Sequence, residues 1–138
     1  MDKFNKSDHL SNYFSGILLL NENLYDESFK FLKKLNGLEN VHTNYAAKYL
    51  YSLVNSGNFK EAFNYSRNLE KKKLDSFESH LITGVYYLKS TNLKLAQKYF
   101  LKAKTRNPRS ILNNYVSSSL YNWSILGNYD LNQAIIEL

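Results

Sequence analysis

The 138-residue sequence contains no cysteine, one proline and five glycines. The absence of cysteine excludes disulfides, thiolate nucleophiles and metal sites that use cysteine ligands. The shortage of proline and glycine favours long uninterrupted helices over the many turns of a β-sandwich. No apolar run approaches the roughly 18 residues of a membrane-spanning helix, and no secretory signal peptide is recognisable. We therefore expect a cytoplasmic protein for the chain as given.

Apolar residues make up 43% of the sequence and aromatic residues 15%, which is too rich for a disordered chain. The net charge is +6, from 18 lysines and arginines against 12 acidic residues. Only Arg67, Arg106 and Arg109 are arginines, although arginine is the residue that best recognises phosphates and bases. We interpret most lysines as a solvated surface. The alternative is an RNA-binding or anionic-surface-binding helical repeat that uses Lys30, Lys33, Lys34, Lys71, Lys72, Lys73, Lys98 and Lys102.

An offset of 34 residues aligns the sequence with itself in three windows, which begin at His9, Thr43 and Phe77. Position 8 of the windows is Gly16, Leu50 and Gly84, and position 15 is Asn23, Gly57 and Thr91. Position 20 is Ser28, Ala62 and Ala96, and position 24 is Leu32, Ser66 and Phe100. Each window holds two stripes at helical spacing with Gly, Asn or Thr between them, which predicts two helices joined by a tight turn.

The pattern predicts helices over 9–21, 25–36, 43–55, 59–72, 77–90, 93–105, 111–126 and 129–138. The corresponding segments are an N-terminal extension at 1–8, repeats at 9–42, 43–76 and 77–110, and a partial fourth repeat at 111–138. The fourth window fits Gly127 and Tyr129 only if it begins at Asn113, a slip of two residues. We expect either a fragment of a longer array or a short terminal lid, and a third alternative is that residues beyond Leu138 fold back onto the repeats.

The third window has the most complete signature, with Gly84, Tyr87, Ala96, Phe100, Ala103 and Pro108 in register. This window resembles the unit of the tetratricopeptide repeat (TPR) family, with His80 in place of tryptophan and Thr83 in place of leucine. The resemblance implies an all-α fold, a right-handed superhelical array of antiparallel helix pairs with about three full repeats plus a partial fourth. It also implies a concave groove, lined by the first helix of each pair, that holds a peptide or a partner's helix.

In that family, positions 2, 5, 9 and 12 of each window usually face the ligand. The groove residues predicted from the resemblance are Leu10, Tyr13, Ile17, Leu20, Ala47, Tyr51, Val54, Leu81, Val85 and Leu88. Chaperone-binding members clamp a terminal carboxylate with Lys, Arg and Asn at positions 5 and 9, and this sequence has none of them there. An apolar groove with Tyr13 and Tyr51 as anchors suits an amphipathic helix or an extended apolar segment. The same residues are also compatible with ordinary packing against a neighbouring helix.

We find no pattern typical of a catalytic or metal site. The three histidines, His9, His42 and His80, do not form an H-E-x-x-H pair, and phosphate-binding glycine motifs and the G-x-S-x-G motif are absent. We therefore expect no enzyme, no cofactor, no metal site and no small-molecule substrate. The expected function is a non-catalytic protein–protein interaction module or scaffold.

Overall fold

The computed structural model describes residues 6–127, and over this range the chain is helical with no β-strand. Its residues fall into two compact units, one ending at Ala62 and the other beginning at Phe63. A short 3-10 helix, Leu38–Asn40, follows α2. The seven α-helices are α1 Lys6–Asn21, α2 Tyr25–Lys33, α3 Thr43–Asn55, α4 Phe59–Lys71, α5 Phe77–Lys89, α6 Leu93–Arg106 and α7 Ile111–Leu126.

The turn between paired helices is the same three times, at a spacing of 34 residues. Asn23, Gly57 and Thr91 have positive φ angles of 61°, 77° and 59°. In each turn the next residue donates its N–H to a carbonyl five residues earlier, at 2.9 Å in all three cases. This is the Schellman arrangement, which satisfies helix C-terminal carbonyls and requires a left-handed residue. The 34-residue period of the sequence is thus a period of the backbone.

The helix pairs approach closely where position 8 is glycine. A Cβ atom on Gly16 would lie 2.6 Å from Leu32 Cδ2, and a Cβ atom on Gly84 would lie 2.5 Å from Phe100 Cε1. Both distances are far below ordinary van der Waals contact. Position 8 therefore packs directly on position 24 in the first and third repeats, which explains why a small residue recurs there.

In the unit that ends at Ala62, α2 packs between α1 and α3. Its core contains the fully buried Leu32 and Leu53, and also Tyr45, whose hydroxyl donates to the Leu32 carbonyl oxygen at 2.7 Å. The rings of Phe29, Tyr49 and Tyr45 form a stacked series with centroids 5.8–6.2 Å apart. This aromatic series joins α2 to α3.

In the unit that begins at Phe63, α6 packs between α5 and α7. Ala96, Phe100 and Ala103 of α6 are fully buried. Against α7, the Gln97 side chain donates to the Ser124 carbonyl oxygen at 3.2 Å, and Gly127 lies against Leu93. Each helix thus packs mainly on its neighbours in the sequence, as expected for a helical repeat.

The structure departs from the predicted helix boundaries at two places. The second helix ends at Lys33 rather than at 36, because the chain turns through Gly37, at φ 106°, into the 3-10 helix. The fourth window begins in register, since α7 starts at Ile111, 34 residues after Phe77. Its apparent slip arises because α7 has 16 residues where α3 and α5 have 13. Gly127 keeps right-handed helical geometry at φ −67° instead of the predicted turn conformation. The helix predicted over 129–138 lies outside the described residues.

Candidate functional site

Nine of the ten predicted groove residues are at least partly exposed. In α1, Leu10 is 57% exposed, and Tyr13 and Ile17 are partly exposed. The exception is Leu20, which is only 5% exposed. Leu20 follows Gly16 by four residues, so it shares the helix face that packs on α2. It belongs to the core rather than to a ligand surface.

In α3, Ala47 and Tyr51 are exposed, and Val54 is partly exposed. In α5, Val85 is 43% exposed, while Leu81 and Leu88 are partly exposed. These side chains follow helical spacing on the first helices of their repeats. The structure therefore leaves apolar surface at these positions, which a groove requires.

The two tyrosines predicted as anchors have different surroundings. The Tyr13 ring lies 5.2 Å from the His42 ring and 6.2 Å from Phe14. The Tyr51 ring, 51% exposed, meets the Tyr25 ring edge-on at 6.0 Å. Each tyrosine is thus held by an aromatic neighbour yet keeps accessible surface. A partly fixed ring loses less conformational freedom on binding, which suits an anchor.

The resemblance did not extend the groove to the fourth repeat, but α7 is in register with the other first helices. Positions 2 and 5 of a window that begins at Ile111 are Leu112 and Tyr115, which are 69% and 71% exposed. The signal that could have found them is the unbroken 34-residue spacing from Phe77. The displaced Gly127 obscured it.

Sequence reasoning also missed a polar cluster in the unit that begins at Phe63. α4 ends in a turn with Lys73 in the left-handed region, at φ 59°, where Leu74 N–H donates to the Leu69 carbonyl oxygen at 2.9 Å. This turn lies between Glu70 and Asp75, the two acidic members of the cluster. Together with His80 of α5 and Lys102 and Arg106 of α6, they line an open depression of about 450 Å³.

The two carboxylates of this cluster are each bound by several donors. Glu70 accepts hydrogen bonds from Lys102, Arg67 and the Tyr99 hydroxyl. Lys102 Nζ also lies 5.0 Å from the centroid of the Tyr99 ring, so the cation contacts both the carboxylate and the aromatic face.

The Asp75 side chain is only 9% exposed and His80 only 4%. Asp75 Oδ2 lies 2.8 Å from His80 Nε2 and also accepts a hydrogen bond from Arg106. These bonds join the α4–α5 connection to the last turns of α6.

The surroundings shift the pKa of three members of the cluster. Burial raises the pKa of Glu70, but hydrogen bonds from Lys102 and Arg67 outweigh it and hold that pKa below its ordinary value. Burial likewise opposes the hydrogen bonds from Arg106 and His80 at Asp75, whose pKa is lowered overall. At His80, burial lowers the pKa and exceeds the opposing effect of Asp75. The cluster therefore favours two charged carboxylates beside a neutral histidine.

This cluster has the features of a structural network rather than a reaction centre. Its cations and carboxylates are engaged with one another across three segments of the chain. Such mutual pairing fixes the relative position of the segments that carry the groups. Among residues 6–127, no group of three or more His, Asp or Glu side chains is placed to hold a metal ion.

The lysines of the alternative hypothesis fall into two groups. Lys33 pairs with Glu61 at 3.0 Å, and Lys102 pairs with Glu70, so both already have acidic partners. The other six, at positions 30, 34, 71, 72, 73 and 98, are exposed. RNA binding through these lysines stays a prediction. If it occurs, affinity should fall steeply as salt is raised from about 50 to about 200 mM.

No protein-family model matches the chain, and no curated protein sequence matches it. Within the described range, no helix is long and apolar enough to span a bilayer.

Proposed function

We propose that the chain is a TPR-like helical-repeat protein that binds a segment of another polypeptide and catalyses no reaction. The observation that carries this proposal is the threefold recurrence of one turn geometry at Asn23, Gly57 and Thr91. A recurring turn presents the preceding helix in the same way in each repeat. Apolar side chains at equivalent positions of those helices then form a surface repeated along the chain.

The character of this surface favours an apolar ligand. Positions 5 and 9 of the first two windows are Tyr13, Ile17, Ala47 and Tyr51, which carry no charge. A peptide carboxylate would have no cation to pair with at these positions, whereas the tyrosines offer both a ring and a hydroxyl group. We infer that the ligand is an amphipathic helix or an extended segment that presents apolar side chains.

The proposal can be tested with peptides selected from a random display library on the immobilised wild-type chain. Synthetic copies of the selected peptides are then titrated by fluorescence anisotropy. We expect the Tyr13→Ala, Tyr51→Ala double variant to bind them at least tenfold more weakly. Tyrosine anchors commonly contribute about 1–2 kcal/mol each, and about 1.4 kcal/mol corresponds to a factor of ten.

A matched control removes similar side chains from second helices. Phe31 of α2 is partly exposed and Leu101 of α6 is 45% exposed, and neither is a predicted groove residue. The Phe31→Ala, Leu101→Ala variant should bind the peptides as the wild type does. The groove assignment is wrong if the tyrosine variant retains full affinity, or if both double variants lose affinity equally.

A further inference from the structure

One side of α7 carries five large apolar residues that point away from the other described helices. We call this set the α7 outer face: Ile111, Leu112, Tyr115, Trp123 and Leu126, which are 63–87% exposed. At about 100° per residue they lie within about a third of the helix circumference. The opposite side carries the buried Ser117 and Ser124. The helix thus buries small polar residues and exposes large apolar ones, the reverse of an ordinary surface helix.

The whole of α7 is uncharged. Its 16 residues, ILNNYVSSSLYNWSIL, include no Asp, Glu, Lys or Arg, although charged residues make up 22% of the chain. Depletion of charge together with tyrosine and tryptophan is typical of the centre of protein–protein interfaces. It also means that two α7 helices can approach each other without like-charge repulsion, despite the net charge of +6.

The area of this face matches what a stable interface needs. If each large side chain offers about 200 Å², the measured exposures leave on the order of 700 Å² of apolar surface. A standard interface buries about 800 Å² per partner, including its polar rim. One α7 outer face therefore supplies most of one side of such an interface.

The distribution of the five residues is nearly symmetric along the helix. Ile111, Leu112 and Tyr115 lie at the N-terminal end, and Trp123 and Leu126 lie at the C-terminal end. The middle of the helix, at residues 118 and 119, consists of two serines. Small residues at this point permit the backbones of two crossing helices to come close.

We propose that a second copy of this chain covers the α7 outer face, with the two α7 helices antiparallel about a two-fold axis near Ser118 and Ser119. In this arrangement Trp123 and Leu126 of each copy contact Leu112 and Tyr115 of the other. A two-fold contact uses the same patch on both copies and closes after two chains. The chain is therefore a homodimer.

Trp123 is the only tryptophan of the chain, so its fluorescence reports directly on this face. The test follows the full chain by sedimentation velocity and by tryptophan emission over a concentration series. We expect a monomer–dimer equilibrium, with emission moving to shorter wavelength over the same concentrations at which the dimer forms. Burial of an exposed indole accounts for that shift.

Two variants test the geometry while keeping the tryptophan. Leu112→Glu with Tyr115→Glu places charges on the surface proposed to receive Trp123 of the other copy. It should weaken dimerisation at least tenfold and prevent the emission shift. The matched control is Leu10→Glu with Phe14→Glu on α1, where the side chains are 57% and 56% exposed. The control should dimerise as the wild type does, and far-UV circular dichroism checks that both variants are folded.

Four outcomes would overturn the proposal. The first is a monomer at every concentration with long-wavelength emission, which would mean that the face stays open. The second is short-wavelength emission from a monomer, which would mean that the chain covers its own face. The third is equal loss of dimer in both variants, which would place the interface elsewhere. The fourth is growth beyond the dimer, which would contradict closure about a two-fold axis.

Discussion

The close packing of Gly84 on Phe100 predicts that Gly84→Ala destabilises the chain. An alanine at an unobstructed position inside a helix is more stable than glycine by about 1 kcal/mol. Here the added Cβ would lie 2.5 and 2.7 Å from two atoms of the Phe100 ring, which is fully buried. The ring or the helix must move by about 1 Å to restore ordinary contact.

Overpacking of a buried site typically costs about 1–3 kcal/mol. This cost exceeds the gain in helix propensity, so we expect a net loss of about 1–2 kcal/mol in the free energy of unfolding. Urea denaturation followed by far-UV circular dichroism measures it. A Gly84→Ala variant more stable than the wild type would refute the packing argument, since propensity alone would then decide the sign.

A double-mutant cycle with Phe100→Leu separates the steric effect from other causes. The shorter side chain leaves room for the new methyl group, so Gly84→Ala should be less harmful in the Phe100→Leu background. We expect a coupling of about 1 kcal/mol, within the range of residues in direct contact. Gly16→Ala provides the matched comparison, because there the obstructing atoms belong to the flexible Leu32 side chain. Its cost should be smaller.

Three further predictions follow from the turn, the polar cluster and the core. Gly57→Ala should cost about 1–2 kcal/mol in urea denaturation because φ is 77°, whereas Gly57→Asn should cost less, since Asn23 adopts this conformation in the equivalent turn. Because burial holds the pKa of His80 below its ordinary 6.5, the unfolded chain takes up that proton first. Stability should therefore fall as the pH drops through about 6.5, a loss that His80→Gln removes, and the lowered pKa of Asp75 adds a loss at lower pH. Tyr45→Phe deletes a buried hydroxyl that donates at 2.7 Å, so we expect a loss of about 1 kcal/mol by the same assay.

The helical organisation could be predicted because the signals for it are local. The starts of α3 and α5 at Thr43 and Phe77 are as predicted, and so are the turns at Asn23, Gly57 and Thr91. A helix face and a left-handed turn residue depend on sequence neighbours within one or two turns. The end of α2 was predicted three residues too late, because the apolar pattern continued through Leu35 into a segment that forms turns instead.

The candidate site could be predicted only in part. Exposure at Leu10, Tyr51 and Val85 agrees with the groove prediction, while a ligand for that groove stays a prediction. Leu20 shows why the rest failed, since its position in the repeat indicated a ligand surface but its helix face indicated the core. The choice depends on where the neighbouring helix crosses, and no residue of α1 specifies that.

The sequence by itself determined a 34-residue repeat of helix, left-handed turn and helix, because backbone conformation and helix faces follow from residues close together in the chain. The tertiary structure alone decided which side chains meet from distant segments. Glu70 pairs with Lys102, and Asp75 pairs with both His80 and Arg106, only because the α4–α5 connection packs on the end of α6. It also decided that the large residues of α7 face outward while its serines face α6. Pairing and exposure are properties of neighbouring helices, so packing had to be known before the charge cluster or the α7 outer face could be seen.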